Sequence, residues 1–496
     1  MRFAMAVEST PYASEQAHPW RQRPRKIVAF QHCFVDNNSH LIRIEYGKMK
    51  FNLYACGAAV AIAFCLINPA TIAIAAGSEE TPDYASMTLS GDWSGKRNAA
   101  WRAGWAWDAS LKVDTLRQNG GTTPGGGVMS NLDLRLKADL AKTAGWEGAT
   151  AYLHVLDNRG ASINARHTGS LMGVSNIEVP ISTTTVFHAW LQQNFFDDQF
   201  SLLAGLYPID SEFFVMESAS LLIHPSFGAL ADLALTHGPS IFNHSSFGMR
   251  AKWLSADRTL YAMGSLLDGF PASDPAHPTL TPNRFARGHG AFAIAEIGWL
   301  PEERGHVFEP TEPVNILQTP ALVGHEKYTG TSKYAVGLWR YGNHVPDQFN
   351  VDTNGDPLQT RSQGAYLLAE RTLFDLGTAG RDFTVFARYS TSDGNSTALD
   401  NMWNIGARLR GPIASRPNDA LVIGWTRSRL APKYRAAQTG AGADTAGSEE
   451  MLEITWRATL TPWFALQPVV QLIQHPGGAA SVPRATILGA RIEIAI

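Results

Sequence analysis

Apolar and charged residues alternate along several stretches of the chain. The clearest run is 132–140, where leucine and alanine alternate with Asp133, Arg135, Lys137 and Asp139. The same period of two residues is found at 105–114 and at 488–496. This period is typical of a β-strand with one apolar face and one polar face. Repeated strands of about ten residues predict a transmembrane β-barrel, because lipid tolerates no open sheet edge.

Candidate strands continue from residue 104 to the end of the chain. We therefore expect an all-β fold, a transmembrane antiparallel barrel of about sixteen strands with long external loops and a short N-terminal periplasmic helix. The predicted strands are 104–115, 130–140, 149–156, 186–196, 199–207, 246–254, 258–266, 290–299, 332–341, 364–373, 382–390, 401–410, 420–429, 449–460, 464–474 and 485–496. Two long connections, 300–331 and 342–363, are consecutive and break the alternation of short turns with long loops. The number of strands could therefore differ from sixteen by two at this point of the chain.

The first 76 residues predict an export signal. Met49 and Lys50 precede an apolar run at 51–67, and small residues follow at 73–77. This order of basic, apolar and small residues is typical of a secretory signal peptide. An N-terminal membrane anchor at 51–67 is the alternative, although the run is short for a spanning helix. We expect a misannotated or disordered extension at 1–48, the signal peptide at 49–76, a periplasmic lead-in with a short helix at 77–103 and the barrel at 104–496.

Composition narrows the function classes. Charged residues make up 17% of the 496-residue chain and the formal net charge is −3, so nothing favours nucleic-acid binding. Cys33, Cys56 and Cys65 all precede the predicted cleavage point, which suits an exported chain. No run of 18 apolar residues follows residue 67, so any spanning segments there should be strands.

Charged residues on the polar strand face predict the lining of an aqueous channel. A charge that faces lipid near the midplane costs about 2–4 kcal/mol, so we expect these charges inside a polar, hydrated lumen. Cations and carboxylates are mixed there, which suits an uncharged solute rich in hydroxyl groups. For any single residue, the alternative is a wall charge that only pairs with a neighbour. The candidate channel-lining and substrate-contacting residues are Asp133, Arg135, Lys137, Asp210, Glu212, Arg250, Glu296, Arg388 and Arg408.

Other motifs give little support for catalysis. Asp352, Asn354 and Asp356 have the spacing that begins a calcium loop, but the completing glutamate is missing, so a turn rich in Asp and Asn is favoured. His244 precedes Ser245 without a nucleophile elbow or a partner carboxylate. We therefore expect no enzyme activity, no metal site and no cofactor.

Several short segments keep their order along the chain after residue 88. They are 89–95, 173–178, 190–193, 210–214, 226–228, 411–413, 416–419, 461–463, 466–468 and 475–478. Together these segments resemble the OprB-like carbohydrate-selective porins of Gram-negative outer membranes. The resemblance implies a sixteen-stranded homotrimeric porin that passes glucose and similar sugars through a narrowed, arginine-bearing channel. A loop that opens with 210–214 is then the candidate constriction, with Asp210 and Glu212 facing arginines across the lumen.

The sequence thus predicts an outer-membrane porin for passive diffusion of monosaccharides such as glucose and other small carbohydrates. Its expected partners are small carbohydrates, outer-membrane lipid and two further copies of the chain, but no nucleic acid. Two alternatives are open. One is a barrel enzyme such as a lipid hydrolase, for which Ser245 is the candidate nucleophile, and the other is a structural or adhesive barrel, which a plugged lumen would favour.

Overall fold

In a computed structural model, the chain is described at residues 31–36, 41–46, 49–54, 81–236, 238–269, 290–301, 332–377 and 381–496. Contacts divide it into one unit at 1–72 and another at 73–496. In the first unit, strands Gln31–Asp36, Leu41–Tyr46 and Met49–Tyr54 form an antiparallel three-stranded sheet. The last of them covers the start of the predicted signal peptide. The rest of that segment lies outside the described residues, and the signal peptide stays a prediction.

Within the described part of the second unit, sixteen antiparallel strands close into one barrel, which confirms the predicted fold class. Numbered β1 to β16 in chain order, they are Trp105–Asn119, Gly125–Asp139, Ala149–Gly160, Thr183–Phe195, Phe200–Tyr207, Ser246–Leu254, Leu260–Asp268, Ala291–Trp299, Lys333–Tyr341, Gln363–Asp375, Asp382–Ser392, Leu399–Arg410, Ala420–Leu430, Ser448–Thr461, Phe464–Gln474 and Ala485–Ala495. Each strand pairs with the next, and β16 pairs with β1. All sixteen predicted strands are present. The largest shift is at β2, which begins at Gly125 rather than at 130, because three glycines at 125–127 also pair with β1.

Short helices occupy some of the connections. The α-helices α1 to α5 are Tyr84–Met87, Lys96–Arg102, Leu140–Ala144, Ala231–Ala234 and Pro432–Gly440. The 3₁₀ turns are Ile209–Ser211, Glu217–Ala219, Pro225–Phe227 and Pro476–Gly478, and a π turn covers Asn164–Thr168. Helix α2 lies within the predicted lead-in. Among the residues described, no helix has both the length and the apolar character needed to cross a membrane.

The connection after β9 accounts for the doubtful strand count. It contains a small hairpin, Val345–Val351 with Pro357–Thr360, which pairs within itself and not with the barrel. Strand β8 ends at Trp299 and β9 begins at Lys333, both on the rim that otherwise carries short turns such as 196–199 and 255–259, and residues 302–331 between them lie outside the described residues. The hairpin adds no strand to the barrel, and the count among the described residues is sixteen.

The two faces of the strands lie as the alternation predicts. Leu134 is 46% exposed on the outside, whereas its neighbours Asp133 and Arg135 are 3% and 6% exposed on the inside. Large apolar side chains on the same outer face include Val128, Leu202, Leu266, Ile297, Leu338, Leu367, Ile405, Val470 and Leu488. An apolar outer belt of this kind is what contact with acyl chains requires.

Aromatic pairs mark both ends of this belt. Trp299 stacks on Tyr334 at 5.5 Å between ring centroids, at the turn-side ends of β8 and β9. Tyr389 packs on Trp403 at 4.6 Å, nearer the loop-side ends of β11 and β12. Aromatic girdles at the two interfaces are typical of outer-membrane barrels.

Hydrogen bonds attach the lead-in segment before β1 to the two strands that close the barrel, β16 and β1. The Leu89 N–H donates to Ala495 O at 2.8 Å. Arg97 is buried and donates to Thr88 Oγ1 at 2.9 Å and to Trp107 O at 3.0 Å. These bonds link the segment before the barrel to its first and last strands.

The connections 161–182 and 208–245, named here the first and second inward loops, fold into the barrel. Their buried apolar side chains pack against aromatic residues on the inner faces of β7 to β11. Those wall residues are Tyr261, Phe292, Trp339, Tyr341, Tyr366 and Phe386. The expectation of a polar lumen throughout is therefore wrong on this side, because the loops bring an apolar surface that covers the wall.

Candidate functional site

The second inward loop is held by buried polar groups of the wall. Glu296 on β8 accepts the Phe214 N–H at 2.8 Å and the Tyr366 hydroxyl at 2.7 Å, and it also accepts from Tyr261. The two tyrosine rings reach this carboxylate because each packs over a glycine of the neighbouring strand. Gly298 is one of them, since a Cβ there would lie 2.2 Å from the Tyr261 ring. Glu296 thus anchors the loop.

Arg388 on β11 makes the complementary contacts with backbone carbonyls. It is fully buried and donates to Phe214 O at 2.9 Å, Ser226 O at 2.6 Å and Ala229 O at 3.0 Å. A fourth bond, to Asn404 Oδ1 at 3.0 Å, fixes the guanidinium on the wall. A buried charge needs such partners, and three of the four are supplied by the loop.

Two more wall glutamates bind backbone amides of the same loop. Glu370 on β10 accepts the Ser218 N–H at 2.9 Å, and Glu453 on β14 accepts the Ile223 and His224 N–H groups at 2.7 and 2.9 Å. Each carboxyl group thus supplies acceptors to buried backbone amides that need a partner. The loop is therefore pinned at several points around the barrel.

The first inward loop is held in the same way and meets the second. Glu449 on β14 accepts the Leu171 and Met172 N–H groups at 3.0 and 3.1 Å. Between the loops, the Asn176 N–H donates to Ile223 O at 2.8 Å. Gly173 has a φ of +84°, and a Cβ there would lie 3.0 Å from Pro225 Cγ, so glycine suits both the backbone and the close approach. Both loops together narrow the lumen.

Four cations and four carboxylates pair with one another on the inner face from β14 through β16 and β1 to β2, and we name these eight residues the charged wall. Its ion pairs are Arg457 with Glu493 at 2.8 Å, Arg491 with Asp114 at 2.7 Å, Lys112 with Asp133 at 3.9 Å, and Arg135 with both Asp108 at 2.7 Å and Asp133 at 3.1 Å. Four cations thus face four carboxylates. Such pairing leaves little net field for a passing ion.

Lys112 is the most accessible member of the charged wall. Its side chain is 27% exposed, whereas none of the other seven exceeds 11%. Lys112 lies between two carboxylates on the neighbouring strands. Asp133 is on β2, and Glu493 is the register partner of Lys112 on β16. Lys112 is therefore the charge best placed to meet a solute.

The predicted site residues on β2 lie on the inside of the barrel. Asp133 accepts from Arg135 at 3.1 Å and contacts His154 Nε2 at 2.9 Å. Lys137 follows on the same face and is half-buried. The structure therefore brings two of the three into one cluster and places the third beside it. Whether they contact a solute stays a prediction.

The two predicted acidic residues of the second inward loop differ in their partners. Glu212 pairs with Arg250 at 2.9 Å, as the expectation of a facing arginine requires. Burial alone would raise the pKa of Glu212, but the charges of Arg250 and Lys252 outweigh it and lower that pKa. Asp210 was expected to face an arginine as well. Among the described residues it instead accepts the Phe242 N–H at 2.9 Å, and burial raises its pKa to about 6.

Three further predicted residues lie beneath the second inward loop. Arg388 and Glu296 hold the loop backbone, as described above. Arg408 is 3.6 Å from Asp382 and 3.9 Å from Glu217. All three residues were predicted to line an open channel. In the structure the second inward loop covers them instead.

Sequence analysis did not single out Glu370 and Glu449, although both hold loop backbone. Each falls on the inward phase of its strand, so their orientation could be predicted from the two-residue period. The pattern does not predict which loop these glutamates contact. A carboxylate that accepts backbone N–H groups can bind a loop of almost any sequence, so the loop carries no matching side-chain motif.

The remaining sequence motifs have structural explanations. Asp352 Oδ1 accepts the Asn354 N–H at 2.8 Å and the Asp356 N–H at 3.0 Å, which confirms the turn interpretation. The Ser245 hydroxyl donates to the Phe187 carbonyl, so its proton is bound to backbone in place of a catalytic base. Across the described ranges, no group of three or more potential metal ligands is found.

Comparison with known proteins agrees with this architecture. The family model for carbohydrate-selective porins, OprB family, matches residues 125–495. Porin B of Pseudomonas aeruginosa is 22% identical over 446 residues, which cover 82% of this chain and 91% of that relative. The high-pH structure of Pseudomonas putida OprB has a TM-score of 0.70 at 17% identity, and the match covers 85% of this chain and 100% of that one. The low-pH structure has a TM-score of 0.51 at 15% identity, with 84% and 100% covered. At these identities, the solved structures support the fold alone.

Proposed function

The chain belongs to the OprB family of carbohydrate-selective porins, and on that premise we propose that it is a passive channel for monosaccharides such as glucose. Family and fold point to the Gram-negative outer membrane. The proposed channel needs no catalytic step and no cofactor. Solutes would move down their concentration gradient, beside the inward loops and past Lys112, the most exposed member of the charged wall.

The single observation that carries this proposal is the balance of the charged wall. Each of its four cations has a carboxylate within 4 Å, so an anion or a cation gains no net attraction there. A sugar hydroxyl both donates and accepts, so it can replace water at either sign of charge. Uncharged polyhydroxy solutes are therefore the class favoured by this interior, and the narrowing by two loops favours small ones.

Solute flux into liposomes tests the proposal. Protein reconstituted in vesicles should pass glucose faster than a trisaccharide, and faster than a charged sugar acid of similar size. Swelling at the same rate with all three solutes, or at the rate of protein-free vesicles, would refute selective transport and leave the structural or adhesive alternative.

Lys112 gives a sharper test of where the solute passes. A Lys112→Gln change removes one accessible cation and leaves the charged wall with one excess negative charge, so ion selectivity should shift toward cations while glucose flux persists. Arg427→Gln is the matched control, because Arg427 is paired with Glu450 and its side chain is 52% exposed. Reversal potentials in planar bilayers measure the difference. Equal potentials for both variants would place the permeation path elsewhere.

The homotrimer stays a prediction. Chemical cross-linking of the protein in isolated outer membranes measures it directly. Three bands up to three times the chain mass would support a trimer, and a single monomer band under conditions that cross-link a known trimeric porin would contradict it.

A further inference from the structure

A depression of about 1190 Å³ lies on the outer face of the barrel, across β5 to β11. Part of its floor crosses three neighbouring strands at Ala251, Gly264 and Ala295, which are register partners of one another. Larger residues stand in the rows above and below this floor. Met249 and Leu266 are the upper pair, at 59% and 62% exposure. The floor is low because three adjacent strands carry at most a methyl group there.

The depression also extends along β8 toward the loop-side rim. The outward positions of β8 at this end are Ala291, Ala293 and Ala295. The floor therefore has one arm along β8 and one arm across β7 to β6, and we name it the trough. Residues on one face of a strand are about 7 Å apart, and the two strands that flank β8 are about 10 Å apart, so each arm is wide enough for a single hydrocarbon chain. A flat protein surface would rest on Met249 and Leu266 and leave the floor unfilled.

An exposed cation stands where the trough reaches the rim. Arg340 is the last outward residue of β9, and it is the register partner of Ala293. Within the described ranges, the structure gives its guanidinium no hydrogen bond or ion pair. The nearby carboxylate of Asp393 is bound to backbone, since it accepts the Gln363 and Asn395 N–H groups at 2.8 Å each.

The height of the wall sets the depth of Arg340 in the bilayer. Strand β9 has 9 residues, which is the lower limit for a strand that spans the hydrocarbon layer. Its turn-side end is marked by the Trp299 and Tyr334 pair, so its loop-side end, with Arg340, lies at the opposite interface. At that level the guanidinium can meet lipid phosphate, for which arginine is well suited.

We propose that the trough binds one acyl chain of a phosphate-bearing lipid of the outer leaflet, with the lipid phosphate on Arg340. The apolar floor takes the chain and the cation takes the head group, so a single amphiphile satisfies both features. The inference rests on the outer-membrane location of the proposed function, but not on the solute that the channel passes. It assigns to this barrel a defined lipid site rather than a uniform lipid belt.

Native mass spectrometry of detergent-purified protein tests the site with a synthetic diphosphoryl lipid A as the probe. The wild type should retain the probe. Arg340→Gln should bind it about tenfold more weakly, the effect of losing one charge-assisted hydrogen bond. The phosphate-free form of the same lipid should bind the wild type as weakly as the variant binds the probe. Ala295→Phe, which fills the floor, should weaken binding with Arg340 intact.

The matched control is Arg117→Gln. Arg117 is also an exposed outward arginine near the loop-side end of its strand, but its register partners are Leu488 and Gly126 rather than the trough. This control should bind the probe like the wild type. Equal binding by Arg340→Gln and the wild type would overturn the site, as would equal binding of the phosphate-free lipid. A mass of two or more chains that is lost on Ala295→Phe would assign the trough to a second copy and also overturn it. Glucose flux through Arg340→Gln, measured in parallel, should equal that of the wild type, so failure of the lipid site and failure of the channel are distinguishable.

Discussion

Replacing Arg388 by methionine should release part of the second inward loop. The guanidinium donates to three loop carbonyls, at Phe214, Ser226 and Ala229, and to Asn404 on the wall. Methionine fills a similar length without donating a hydrogen bond. The barrel strands should remain paired, because their ladders do not involve this side chain.

The size of the effect follows from these bonds. Hydrogen bonds to a charged group contribute about 1.5–3 kcal/mol each, so the three loop bonds together favour docking by at least about 4 kcal/mol. Part of this loss of docking free energy is offset, because a buried guanidinium also costs desolvation free energy that methionine does not. A net loss of about 3 kcal/mol raises the undocked fraction of the loop by about two orders of magnitude. Glu296, Glu370 and Glu453 still bind their own amides, so release should concentrate between residues 214 and 230.

Thiol labelling measures this release. Ala231 is buried at the start of α4, so Ala231→Cys should react slowly with a maleimide in the otherwise unchanged protein and much faster with Arg388→Met added. Single-channel conductance should rise in parallel, because the loop no longer narrows the lumen. Arg427→Met, an exposed arginine, is the control and should change neither quantity. Equal labelling and conductance with and without Arg388 would refute the idea that buried wall charges hold the loop.

Three other predictions concern the outer face of the barrel, the contact between the second inward loop and the barrel wall, and the effect of pH. Leu134→Arg puts a charge against lipid at about 2–4 kcal/mol and should abolish the heat-modifiable folded band on gels, whereas Leu134→Ile should keep it; a folded arginine variant would contradict the face assignment. Gly424 lies under the second inward loop, where a Cβ would be 2.6 Å from Phe227 Cζ, so Gly424→Leu should raise conductance while Gly440→Leu, at an open position, should not. Burial raises the pKa of Asp232 in the same loop to about 6 from 3.8, so its contribution to docking is full below about pH 4 and is lost as pH rises through about 6. The wild type should therefore lose docking, measured by labelling, over that range relative to Asp232→Asn, and parallel pH profiles would contradict this.

The strands and their faces were predictable because each depends on a local pattern. Along β2 the alternation of leucine with Asp133, Arg135 and Lys137 fixes which side meets lipid, and no distant residue changes that assignment. Strand ends were harder where glycine was involved. Gly125 to Gly127 suggest a turn in isolation, yet they continue β2 because β1 offers a ladder of partners.

The interior was predictable only in part because it is made by distant pairings. Arg388 and Glu296 were correctly assigned to the inner face, but the alternation could not show that a loop more than 50 residues away from each would cover them. The same limit applies to Tyr261 and Tyr366. They share the inner face on which the charged residues suggested a wet lumen, whereas the second inward loop makes that side an apolar core.

The anchors of the inward loops explain why the loop sequence itself carries so little information. Glu296, Glu370, Glu449 and Glu453 accept backbone N–H groups, and Arg388 donates to backbone carbonyls. Every residue except proline offers both groups, so most substitutions in the loops leave these bonds intact. The specificity of docking therefore lies in the wall, at positions that the two-residue period already assigns to the inside. Under the proposed function, the loop side chains that would meet the solute can therefore change while the loops stay in place, which separates selectivity from architecture.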